Sequence, residues 1–232
     1  MSGLKCGCAV LILAQVCLLA GAMGAENDPV SIVHSASVAT TNRYDPHHPP
    51  SLMPTTAPDE AGVTVSEFGC DAQVGGTVFD YSRNHQDTVA VVRVDSVRMT
   101  LHLNIAEWIS QNAGSKILLH ENGHRMIAEH FYANADLPAF LIGRAKIGQR
   151  FVGEGLDLDA AAKNALTIAA TTVAQEYMAA VRDPSQPVQE KYDQITAHGT
   201  NGVDELEAID LSLRVVAGDQ QVVENAGKRP RN

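Results

Sequence analysis

Between Val97 and Ile105 every second residue is apolar (Val97, Met99, Leu101, Leu103 and Ile105), with Arg98, Thr100, His102 and Asn104 between them. That alternation suits a strand with one face in a core and the other polar, and it suits no helix. Beyond Asn112-Ala113-Gly114 the period changes. Ser115 fits an N-cap, and Ile117, Leu118, His120, Glu121, His124, Ile127, Ala128 and Phe131 recur on one helical face. A strand followed at once by an amphipathic helix excludes purely helical bundles and purely β sandwiches.

The flanking segments extend this pattern. Val63–Phe68, Thr77–Tyr81 and Asp87–Asp95 read as earlier strands, the last two behind Gly75-Gly76 and a turn. Leu137-Pro138 marks a stop for the first helix. Asp157 or Asp159 is positioned to cap an Ala-rich helix running to about Arg182, where Asp183-Pro184 ends it. Pro187 suits the first turn of a third helix closed by Gly199, and a final helix is expected from Val203 to about Val216. Strands first and helices after predict an α+β domain over residues 62–217. A polar tail, 218–232, carries Lys228, Arg229 and Arg231.

Six of the 10 prolines fall in residues 26–61 (Pro29, Pro46, Pro49, Pro50, Pro54 and Pro58), which reads as an extended, mobile leader. The His47-His48 pair inside this tract carries no metal pattern of its own. Residues 1–25 read as an export signal: Lys5, an apolar run from Cys8 to Ala20, then small residues through Ala25. The expected location is therefore secreted or periplasmic, with no membrane association once the signal is cleaved. Cys6, Cys8 and Cys17 leave with the signal, and Cys70 remains as a half-buried structural thiol without a disulfide framework. The formal net charge of -10 opposes nucleic-acid binding, because a phosphate-tracking surface needs an excess of Lys and Arg.

His120-Glu121-Asn122-Gly123-His124 is an H-E-x-x-H sequence within the first predicted helix. Residues four apart share a helix face, so both imidazoles reach one Zn2+ ion. Glu121 is displaced by one residue, so it suits a general base that takes the proton of a zinc-activated water. Gly123 costs helix stability and calls for a close neighbour. The same five residues also suit a helix with two structurally bonded histidines.

On these residues the chain resembles the zincin metallopeptidases, with Arg125 departing from the uncharged residue usual after the second His. Tyr192-Asp193-Gln194-Ile195-Thr196-Ala197-His198-Gly199 is similar to the Y-D-x-x-T-x-H-G segment of an uncharacterised bacterial family of exported, predicted zinc-dependent proteases. The resemblance covers roughly residues 63 to 204. It implies a zincin-like α+β fold: a small antiparallel or mixed sheet, an H-E-x-x-H helix packed on it, and a mostly helical C-terminal half. It also implies zinc-dependent hydrolysis of a peptide or protein bound along an edge strand, here expected to be Val97–Ile105. The third zinc ligand is expected at His198, at a helix end before Gly199, with Glu176 and His130 as alternatives. Tyr192 is placed to hydrogen-bond the oxyanion, and Asp193 to orient a ligand. A zinc hydrolase acting on a non-protein envelope amide, or a secreted zinc-binding interaction protein, stays open beside the peptidase.

Overall fold

The computed structural model describes residues 28–55, 60–84 and 86–227, with side chains up to Gly218. The expected export signal lies outside the described residues. The protein is a mixed α/β protein in which five strands form one sheet. In chain order the elements are β1 (Val30–His34), β2 (Val38–Tyr44), β3 (Gly62–Arg83), β4 (Thr88–Ser110), α1 (Ser115–Ala133), α2 (Asp136–Lys146), β5 (Arg150–Gly155), α3 (Leu158–Tyr177), a π-helical turn (Met178–Arg182), α4 (Ser185–Thr196) and α5 (Glu205–Gly227).

The alternation at Val97–Ile105 behaves as the sequence predicts, since Val97, Met99, Leu101, Leu103 and Ile105 are all buried. Its place in the sheet does not. β4 pairs with all four other strands: β1 and β2 in parallel, β5 antiparallel, and β3. The expected edge strand is therefore the central one. Side-chain alternation reports which faces are buried, whereas an edge is a matter of backbone pairing, and that depends on which strands arrive from elsewhere.

Two of those strands come from the stretch read as a mobile leader. Val30–His34 pairs with Val97–Leu101, and Val38–Tyr44 with Asn104–Ser110. Most of their side chains are exposed, and β4 holds them through backbone pairing. Part of the expected leader thus contributes two strands to the sheet. α2 and β5 also escaped the sequence reading. Pro138, read as a stop, sits in the first turn of α2, where a missing N–H costs nothing. α5 continues to Gly227, through part of the expected polar tail.

The chain forms two compact units. The first contains, among the described residues, 28–35, 69–84, 86–102 and Asp136–Met178. There the small-residue face of α3 (Ala161, Ala165, Ala169 and Val173) is fully buried. It packs on β5 so closely that a Cβ on Gly153 would stand 2.2 Å from the Ala161 carbonyl oxygen. Asp157 caps α3 as expected, accepting a hydrogen bond from the Ala160 N–H at 2.8 Å. The second unit contains, among the described residues, 36–55, 60–68, Leu103–Ala135 and 179–227. Its helical core joins Ile127 of α1, Val188 and Tyr192 of α4, and Ala208 and Ile209 of α5. All the residues of the site described below belong to this unit.

Candidate metal and catalytic site

α1 begins after Gly114, without the side-chain cap expected from Ser115. Its inner face buries His120, Glu121 and Gly123. Gly123 has the close neighbour its helix position calls for: a Cβ there would lie 2.1 Å from the Tyr192 hydroxyl of α4. α4 therefore reaches α1 at the centre of the H-E-x-x-H segment. The ring of Tyr192 stacks on His120, with centroids 5.0 Å apart and 9° between planes. α4 ends in three successive left-handed residues, Ala197 (φ 48), His198 (φ 52) and Gly199 (φ 73). Gly199 is needed there, because a Cβ would stand 2.7 Å from the Cβ of His120.

This packing brings three donor atoms together. The Nε2 atoms of His120 and His124 lie 3.2 Å apart. Asp193 Oδ1 lies 3.3 Å from the first and 2.9 Å from the second. Among the described residues, His120, His124 and Asp193 are the group whose geometry can hold a metal ion. Donors around a tetrahedral zinc at ~2.0–2.1 Å stand about 3.3 Å from one another, so the spacing fits.

The outer hydrogen bonds fit as well. Gln189 Nε2 donates to the His124 carbonyl at 3.0 Å, which turns Gln189 Oε1 towards His124 Nδ1 at 2.6 Å. That oxygen only accepts, so Nδ1 carries the proton and the Nε2 lone pair faces inward. Thr196 repeats the arrangement for His120. Its hydroxyl donates to the Tyr192 carbonyl at 2.8 Å and so accepts from His120 Nδ1 at 3.2 Å. Two nitrogen lone pairs and a carboxylate oxygen then converge, and only a cation or a proton satisfies all three. The ionisation preferences express the same demand. Burial opposes charge on Asp193, but its hydrogen bonds with His120 and His124 hold its carboxyl well below the usual range. Burial also opposes protonation of His124, and hydrogen bonding to Asp193 with the charge beside it raises it nonetheless. A metal ion here displaces that proton.

Glu121 stands next to this group, buried, on the side of a cavity of about 600 Å³. Burial raises its carboxyl, against the lowering effect of His124 and of a hydrogen bond from Thr64. The Thr64 hydroxyl lies 2.8 Å from Glu121 Oε2. Gly62 closes over the other side, where a Cβ would be 2.7 Å from Oε1. β3, not β4, thus forms the wall of the cavity, through Gly62, Thr64, Ser66 and Phe68.

His120, Glu121 and His124 come together as the sequence predicts. His198 is not one of the three converging donors. That residue lines the cavity, its side chain 63% exposed, with Nδ1 3.8 Å from Asp193 Oδ1. The left-handed turn swings it to the rim, while Asp193, still inside the helix, takes the inner position. Glu176 is ion-paired with Lys146 at 2.5 Å in the other unit, and His130 is exposed at the end of α1. Tyr192 belongs to the helical core. It is fully buried, and its hydroxyl donates to the His120 carbonyl at 3.2 Å, leaving no donor for an oxyanion. Arg125 points away into a surface pair with Glu129. Gln189 had a signal in the sequence, four residues before Asp193 on one helical face. Gly62 and Thr64 had none, because they meet Glu121 only through folding. Comparison of the chain with protein-family models, with curated proteins and with solved structures gave no match, so the reading of the site rests on its own geometry.

Proposed function

We propose that this protein is an exported zinc-dependent peptidase whose centre is His120, His124 and Asp193, with Glu121 as general base. One observation carries the reading. Three inward-facing donors and a buried carboxylate meet at one wall of an open cavity of about 600 Å³. Structural zinc sites are closed by four protein ligands, whereas catalytic ones keep a position open.

When bound, zinc supplies Lewis acidity to the scissile carbonyl and to the attacking water. The chain's own residues do the rest. Gln189 and Thr196 hold the imidazoles in the tautomer that offers Nε2 inward. Glu121 takes a proton from the water as its oxygen attacks the carbonyl carbon. The same carboxyl then gives that proton to the amine as the C–N bond breaks, leaving a carboxylic acid and a free amine. Its burial suits the exchange, since a raised carboxyl both accepts and returns a proton more readily near neutral pH. Among the described residues β3 pairs only with β4, so its other edge offers free backbone groups to an extended peptide.

Glu121→Gln tests the reading. The amide keeps the shape but cannot take a proton. The variant is expected to retain its zinc and to lose about 10²- to 10⁴-fold in turnover of unfolded casein. Turnover close to wild type would remove Glu121 from the mechanism.

A further inference from the structure

We infer that Thr64 is the positioning residue for Glu121, so that β3 sets the direction of the base. This rests on the peptidase reading above. A glutamate side chain has three rotatable bonds, and a base only works when one oxygen is aimed at the proton it removes. The helix fixes the Cα of Glu121 but not its carboxylate. β3 supplies the restraint.

Thr64 Oγ1 has one proton and two acceptors nearby, Glu121 Oε2 at 2.8 Å and the Glu121 carbonyl oxygen at 3.1 Å. The nearer, charged oxygen takes it. Oε2 is thereby pinned, and Oε1 is left as the working atom. Gly62 completes the seat: any side chain there would overlap Oε1 at 2.7 Å, Cγ at 2.8 Å and Cδ at 3.0 Å. Two residues apart on a strand, Gly62 and Thr64 face the same side. One side of β3 therefore both makes room for the carboxylate and holds it. Ala61, just before Gly62, accepts a hydrogen bond from the Ser110 N–H at 2.8 Å, which ties this part of β3 to β4.

The test is Thr64→Val, which keeps the branched shape and removes the hydroxyl, beside Thr64→Ser, which restores it. Unfolded casein is the substrate, and zinc content is measured on the same samples. Thr64→Val is expected to keep its zinc and its KM while kcat falls about 10- to 100-fold, the scale of a small misplacement of a reacting group. Thr64→Ser is expected to return kcat to within a few-fold of wild type. A merely structural role would move stability or KM and would not be rescued in this way. Wild-type kcat in Thr64→Val overturns the assignment. Should the wild-type protein hydrolyse nothing, the peptidase reading falls by itself, and the crystal structure of Thr64→Val decides the positioning claim. A Glu121 carboxylate unmoved in that structure overturns it, and one released from its seat sustains it. If Thr64→Val does not fold, Thr64→Ala answers the same questions.

Discussion

Asp193 draws its role from the lone pairs around it. Two imidazole nitrogens face its carboxylate at 2.9 and 3.3 Å, each fixed by a hydrogen bond on its far side. Zinc content of purified variants follows from this geometry. His120→Ala, His124→Ala and Asp193→Ala should each lose zinc. Gln189→Ala, which frees only one ring, should weaken affinity by about 10- to 100-fold. His198→Ala and Glu176→Ala should hold zinc as wild type does, and loss of the metal in His198→Ala would return the third place to that residue. His120, Glu121 and His124 were legible because helical periodicity alone puts them together. Asp193 was legible only as a residue of interest, because its reach into the site depends on how α4 lies on α1. Cys70 is buried and free, and burial pushes its thiol up to about 12.

Among the elements, α3 approaches β5 backbone to backbone. A Cβ at Gly153 would meet the Ala161 carbonyl at 2.2 Å and the Ala165 N–H nitrogen at 2.3 Å. These are backbone atoms, which cannot turn aside as a side chain can. Gly153→Ala must therefore push the helix off the strand, at a cost of about 1–3 kcal/mol or more. Urea denaturation measures this, and a loss within about 0.5 kcal/mol, the range of a neutral surface change, would contradict the packing. The Ala-rich face of α3 was plain in the sequence. Its partner was not, since Arg150–Gly155 is six residues long and holds two glycines, a poor strand signal. Tyr192 teaches the same lesson for α4: the pattern identified an important aromatic, and packing on Gly123 decided that its hydroxyl belongs to the helix backbone.

At the scale of the molecule, the proposed metal would contribute folding energy to the unit that holds the histidines. That unit gathers its donors from α1 and α4, which are far apart in sequence, so an unfolded chain has no formed site. Zinc at 100 times its dissociation constant adds about 2.7 kcal/mol. For a chain of this size, about 2–4 °C accompanies each kcal/mol, so chelation should lower the melting temperature of that unit by about 5–10 °C. Calorimetry with and without chelator checks it, and an unchanged transition would mean that no ion contributes to the fold. The sequence by itself determined the buried face of β4, the helix bearing His120, Glu121 and His124, the capped start of α3, and the need for a close neighbour at Gly123. Each is a local property, written in periodicity and in the conformational limits of single residues. Tertiary structure alone decided that β4 is central, that residues 30–44 join the sheet, that β3 walls the cavity, and that Asp193 stands where His198 was expected. Those outcomes depend on backbone pairing and on contacts between segments distant along the chain, for which a side-chain pattern carries no signal.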